Sequence, residues 1–145
     1  MTFTIPGPLV SPGPDKLIVR RGKIYRYPPA RNVAYRAHIQ RCWRSSGLKG
    51  LFGITPLTFT ATVRHAIPPS TGARERVRMV DGLHLPIRQP EAANLAAFLC
   101  EALTGLAFSH PRQIVRLEVL KAYAAGEPCV TISLAPAEER GVRNA

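Results

Sequence analysis

Aspartate is nearly missing from this chain: of its nine acidic residues, only Asp15 and Asp81 are aspartates. A chemistry built on clustered Asp therefore has almost nothing to work with. Cysteine is scarce too. Cys42, Cys100 and Cys129 are three in number and far from any C-x-x-C spacing, which argues against a disulfide framework or a zinc site and for reduced, partly buried thiols in a cytosolic setting. His38, His65, His84 and His110 are as scattered, and no H-x-x-x-H pair or Cys/His cluster suggests a transition metal. No apolar stretch approaches the roughly 18 residues of a membrane span, and the start MTFTIPGPLV lacks the basic opening and apolar run of a signal peptide. A cytoplasmic, non-membrane protein is the expectation. The 14 prolines and 11 glycines are many, but the periodic segments between them are not those of a disordered chain.

Positive charge is abundant and lies on one side of the sequence. The 145 residues carry a formal charge of +11, and between Lys16 and Arg74 there are twelve Lys/Arg and no Asp or Glu. The remainder holds eight basic residues against all nine acids, so the excess comes from the N-terminal half. A one-signed field costs self-repulsion unless a partner uses it, which points to a polyanion, nucleic acid before anionic lipid. Sixteen of the 20 basic residues are Arg, suited to forked contacts with phosphate oxygens. The plain alternative is a soluble, arginine-rich surface.

Hydrophobic periodicity divides the chain into elements. Thr2–Ile5 alternates as a strand and is closed by Pro6-Gly7-Pro8. Lys16–Tyr27 (KLIVRRGKIYRY) reads as a hairpin turning at Arg21-Gly22. From Arg31 to about Ser46, Tyr35, Ile39, Cys42, Trp43 and Ser46 share one helical face while Arg36, Gln40 and Arg44 line another. Leu57–Ala66 alternates as a strand, and residues 68–86 read as a polar, mobile stretch. Pro90 sits where a first-turn proline belongs, with Glu91 beside the positive end of the helix dipole. Leu95, Phe98, Leu99, Ala102 and Leu103 form that helix's buried stripe, and Gly105 stops it. Ile114–Ala124 and Pro128–Leu134 are two closing strands joined at Ala125-Gly126-Glu127. The order βββ–α–β–α–ββ predicts one α+β domain over residues 1–135, with two main helices on a mostly antiparallel sheet, and a polar tail at 136–145.

Several of these segments resemble a known family. FTIPGPLVSPG, the basic hairpin, PEAANLAAFLCEALTGLAFSHPRQIVRLEVLKAY and the closing EPCVTISL are similar to the RusA family of Holliday-junction resolvases (crossover junction endodeoxyribonucleases), from about residue 2 to residue 135. The most specific block is P-x-x-x-N-L opening a helix, A-L-x-G closing it, an aromatic, then x-x-x-Q-I/V before a strand. The resemblance implies a small basic homodimer, often of phage or prophage origin, that binds four-way junctions in DNA recombination and repair and cuts them with Mg²⁺.

Phosphodiester hydrolysis of this kind uses Mg²⁺ to activate water and neutralise developing charge, and Mg²⁺ prefers hard carboxylate oxygens. The family supplies D-x-D-N-L at the start of the second helix, a further Asp from a D-D loop after it, and a Lys one turn beyond the second Asp. Carried onto this sequence, the first acid is Glu91, one methylene longer, and the second is Ala93. Asn94 and Leu95 keep the motif, the Lys position is Ala97, and the D-D pair falls on His110-Pro111 beside Arg112. Glu91 is thus the one candidate metal ligand and the vestige of the catalytic set; equally it reads as a surface acid compensating the dipole. His110 is either a replacement ligand or base, or a solvent-facing loop histidine. Glu101 lies too far along the helix to share an ion with Glu91.

Three functions remain open at this level. The first is a RusA-fold protein that binds branched or duplex DNA without cutting it, through Arg20, Arg21, Lys23, Arg26, Arg31, Arg36, Arg41 and Arg44, with Arg88, Asn94 and Arg112 near the altered site. Tyr25, Tyr27 and Trp43 are candidates for stacking on unpaired bases, although Trp43 on an apolar helix face also reads as core. The second is an active Mg²⁺-dependent endonuclease, in which Ala93 replaces a native acid or the ligands lie elsewhere. The third is a repurposed module that holds a protein or an RNA.

Overall fold

The computed structural model describes residues 1–138. Its core is a four-stranded sheet with two long helices on one face. Strand β1 (Thr2–Pro6) buries Phe3 and Ile5, and β4 (Leu57–His65) turns Leu57, Phe59, Ala61 and Val63 inward. β6 (Cys129–Pro136) adds Val130, Ile132 and Leu134. The period-two alternation of each segment aims all three inner rows the same way. Register completes the arrangement, with Phe3 and Ala61 both opposite Ile132.

Helices α1 (Ala30–Ser46) and α3 (Ala92–Leu103) cover that inner face. Tyr35, Ile39 and Trp43 from α1 meet Leu95, Phe98, Leu99, Ala102 and Leu103 from α3 in one buried cluster. Trp43 is core, edge-on to Phe3 at 5.3 Å between ring centroids, and Tyr35 stacks on Phe98 at 6.0 Å. Full burial of a side chain such as Leu99 contributes about 1.5–3 kcal/mol. The opposite face of β4 and β6 carries Thr58, Thr60, Thr62, Thr131 and Ser133, all half-buried. Burial holds the Cys100 thiol up at about 11, and all three cysteines are free.

The α+β class and the mostly antiparallel sheet are as expected, but the order of the strands is not that of a meander. The sheet runs β1-β6-β4-β5, so β6 lies between β1 and β4, antiparallel to both. β5 (Ile114–Tyr123) pairs parallel with β4 at the edge. The two closing strands are therefore not neighbours. A parallel partner for β4 requires a crossover, which the segment holding α3 provides.

Residues 68–86 are not an irregular stretch throughout, since α2 (Ala73–Val80) lies within them. Glu75 pairs with Arg78 at 3.7 Å and with His84, while Met79 is the one buried anchor. Its charged residues face solvent, which is why the segment reads as polar. Pro90 is also displaced from its expected place. It follows a cis peptide and precedes the cap residue Glu91, so the helix begins at Ala92. Of the expected tail, Pro136 ends β6 and the Ala137 N–H donates to the Pro56 carbonyl at 2.8 Å; residues 139–145 lie outside the described residues.

The hairpin of β2 (Lys16–Arg20) and β3 (Lys23–Tyr27) forms its own two-stranded sheet. Arg21 and Gly22 both take positive φ, 50° and 75°, the geometry of a two-residue turn matched to strand twist. Every hairpin side chain is exposed except Ile18, which is half-buried. Among the described residues no helix is long and apolar enough to cross a membrane.

Candidate nucleic-acid interface

The N-terminus of α3 lies beside a groove of about 760 Å³ whose lining includes Pro12, Asn32, Arg36, Asn94, Phe98 and Glu101. Local bonding explains how the Pro/Gly segment 11–15 becomes one wall. Asn32, buried at the start of α1, accepts from the Gly13 N–H (3.0 Å) and donates to the Gly13 carbonyl (2.9 Å). Arg31 Nε donates to the Ser11 carbonyl at 3.1 Å, and its guanidinium lies where a Cβ on residue 13 would stand, so a side chain there would displace the arginine. On the other wall, Asn94, Ala97 and Glu101 follow one another along a single face of α3. Arg36 crosses the groove to Glu101 at 3.4 Å, with its guanidinium over the Phe98 ring at 5.6 Å.

The expected basic residues therefore fall into separate groups. Arg20, Arg21, Lys23 and Arg26 are exposed on the hairpin. Arg31 and Arg36 have partners within the chain, whereas Arg41 and Arg44 are exposed on α1. Arg41 faces a second groove beside β1, on the other side of the helix from Arg36. Arg88 and Arg112 are exposed near the two ends of the α3 segment. The Lys121 ammonium donates to the Arg88 carbonyl.

At the motif positions, Glu91 is the exposed cap of α3, and its side chain makes no capping bond. Its carbonyl accepts from the Leu95 N–H at 3.0 Å. Ala93, Asn94 and Ala97 are exposed along the first turns. His110 caps a 3-10 turn at Pro111–Gln113, where its Nδ1 accepts from the Arg112 backbone N–H (3.1 Å) and Nε (3.3 Å). That nitrogen is engaged in shaping the turn.

The magnesium ion that the resemblance implies can be tested against these donors. Glu91 offers one carboxylate, Ala93 and Ala97 offer no donor atom, and Pro111 offers no side-chain donor. Among the described residues no three His, Cys, Asp or Glu side chains come together. The residues present do not fit a carboxylate-held magnesium site, because too little of the ion's hydration and charge would be replaced.

Among the described residues the buried polar side chains are Asn32, His65 and Gln113; sequence reasoning gave no role to Asn32 or His65 and knew Gln113 only as a letter of the motif. Besides Asn32, Gln113 is buried and donates to the carbonyls of Leu51 (3.0 Å) and Thr55 (3.1 Å) while accepting from the N–H groups of Ser109 (2.7 Å) and His110 (3.2 Å). It ties the loop before β4 to the turn before β5, which explains a glutamine at that point of the motif. His65, at the end of β4, is buried with Nε2 unpartnered. Burial first, then the positive charges of Arg88 and Lys121, hold its pKa below 6.5. No local pattern marks His65, since its neighbours arrive from β5 and from the segment before α3.

None of the curated proteins compared with the chain matches it. The family model described as Endodeoxyribonuclease RusA matches residues 8–135, a span covering the Pro/Gly wall, the hairpin, both long helices, the Gln113 turn and the closing strands. The chain belongs to the RusA family of endodeoxyribonucleases, which act on branched DNA.

Proposed function

We propose that this protein binds branched DNA, of the four-way-junction kind, through its basic hairpin and α1, and does not cut it by the magnesium route of its family. The observation that carries this reading is the α3 N-terminus: one exposed carboxylate at Glu91, alanine at 93 and 97, and a histidine already bonded within its own turn at 110. The hairpin supports the binding half. A two-stranded sheet with no core of its own is marginal in water, and this one presents Arg20, Arg21 and Lys23 at its turn with Tyr25, Arg26 and Tyr27 behind them. Such a projection suits a phosphate backbone, and its tyrosines suit bases left unstacked at a branch point. Arg41, Arg44, Arg88 and Arg112 add exposed charge, and Asn94 faces the groove. Arg31 and Arg36 serve the groove wall first.

The test is a binding titration on a labelled four-way junction across salt concentrations, beside cleavage of the same junction by the wild type and by the Ala93→Asp/Pro111→Asp variant. Binding should weaken steeply with salt as counterions are released, and cutting should appear only in the double variant. Affinity that is flat in salt would overturn the binding half. A stoichiometric protein or RNA partner with no preference for branched DNA would favour the repurposed-module reading instead.

A further inference from the structure

β4 and β5 are the parallel pair of the main sheet, so their carboxyl ends lie side by side. Where parallel strands are joined by a helical crossover, the crevice beyond those ends is the usual place for a ligand. His65 stands at that end of β4, opposite Tyr123 of β5, and its carbonyl accepts from the Ala124 N–H at 2.8 Å. Residues two apart on a strand share a face, so Lys121 flanks His65 from the same side of β5 as Tyr123. The Lys121 ammonium donates to the Arg88 carbonyl, which ties the segment before α3 to this corner. His65 is 6% exposed, and its Nε2 is the one buried side-chain nitrogen or oxygen without a hydrogen-bond partner among the described residues. Buried polar groups are nearly always paired, so an orphan at the end of a parallel strand pair is a group that a ligand can satisfy.

The charges around the ring fix the sign of that ligand. Arg88 and Lys121 both act on it, and neither takes part in an ion pair among the described residues. Glu118 alternates to the other face of β5. Glu75 is bonded to Arg78 and to His84, whose ring meets Tyr123 edge-on at 5.9 Å. Arg64, beside His65 in sequence, is turned to the Thr131 hydroxyl at 3.3 Å. We propose that His65, Arg88 and Lys121 form a phosphate site, with the His65 Nε2–H, the Arg88 guanidinium and the Lys121 ammonium each donating to an oxygen. Three donors from three segments suit a tetrahedral oxyanion better than a carboxylate, which offers only two oxygens. Lys121 keeps two of its three N–H donors after serving the Arg88 carbonyl. Arg88 is exposed and Lys121 half-buried, so the oxyanion enters from the solvent side with His65 as the floor. The phosphate is either inorganic or carried by a nucleic acid, since the chemistry that recognises it is the same. The site stands apart from whether the chain cuts DNA.

The test is a proton NMR titration of the full chain with inorganic phosphate, beside chloride at the same ionic strength. The His65 ring signal is assigned by its loss in His65→Gln. Millimolar phosphate should move that signal and raise the pKa of His65 by about half a unit or more, because a bound anion favours the charged ring. His38 and His110, elsewhere in the fold, should not respond. No response at His65, or an equal one in chloride, would overturn the proposal. Arg88→Gln should weaken phosphate binding about tenfold and raise the pKa of His65 in the free protein, since one positive charge is gone. Lys121→Gln should do the same, while Lys121→Arg keeps most of the affinity, a rescue that a mere folding defect would not show. Phosphate bound equally well by both glutamine variants would place it elsewhere on the molecule. A second arm adds a four-way junction in phosphate-free buffer. The same shift at His65, competed by inorganic phosphate, identifies the nucleic-acid backbone as the source. Junction binding that leaves His65 and its phosphate affinity unchanged identifies the free anion. A junction that fails to bind would overturn the DNA reading and not this site, which the phosphate arm decides.

Discussion

The two ends of the α3 region differ in what they are built for. From Leu95 onward the helix is core: Leu95, Leu99, Ala102 and Leu103 have no solvent exposure, and Gly105, at φ 83°, ends the segment in a conformation that favours glycine. From Glu91 to Asn94, every side chain is exposed or half-buried, and none makes a capping bond to the helix. The packing half of the helix is apolar and buried, while its first turn carries one carboxylate, Glu91, with alanine at 93 and asparagine at 94. A fold and its chemistry are separable because they draw on different residues of one helix. Core positions answer to volume, and site positions to charge and donor atoms.

That contrast can be broken or sharpened by variants. The largest effect is expected in the packed half. Leu99→Ala should cost about 2–5 kcal/mol in urea unfolding, through lost burial and the cavity left behind; a cost below about 1 kcal/mol would mean the helix is not the core element described. Next comes the hairpin, which has charge and no core. Replacing Arg20, Arg21 and Lys23 with Ala should leave unfolding nearly unchanged yet flatten the salt dependence of junction binding, by about 0.9 in the log–log slope for each phosphate contact removed. An unaltered slope would remove the hairpin from the interface.

A smaller effect is expected from His65, buried at the end of β4. Its folded pKa lies below 6.5, so in acid the unfolded chain takes up more protons than the folded one. The stability that this histidine contributes is complete above pH 6.5 and is lost as the pH falls below it. The midpoint of thermal unfolding should therefore drop between pH 7 and pH 5 by more in the wild type than in His65→Gln. Identical pH profiles would contradict this reading. The smallest effect is at Glu91. Glu91→Gln should change stability by no more than about 0.5 kcal/mol and leave junction affinity in Mg²⁺ unchanged; a magnesium-dependent loss of affinity would restore that carboxylate to a working metal site.

Much of the fold was legible where periodicity is local. β1, the hairpin with its Arg21-Gly22 turn, α1, β4 and α3 each carry their signal within a dozen or so residues, and the motif around Asn94 pointed to a helix turn that borders the groove. The order of the strands was not legible. The alternation in β5 and β6 says that each is a strand, but not that β6 goes between β1 and β4 while β5 joins the far edge, since those are pairings with distant residues. α2 was hidden because its eight residues include four charges and only Met79 is buried. The groove was hidden for a related reason: Asn32 bonds to Gly13, 19 positions earlier, and Gln113 to carbonyls more than 55 positions before it. Hydrogen bonds that span the chain leave no periodic trace.

The measurement that bears most directly on the central claim is incubation of a labelled four-way junction with the wild-type protein in Mg²⁺ or Mn²⁺, at concentrations where binding is complete. A fully shifted complex that yields intact strands is the predicted result. Symmetric nicks near the crossover would contradict it and show that the chain still holds a working ion.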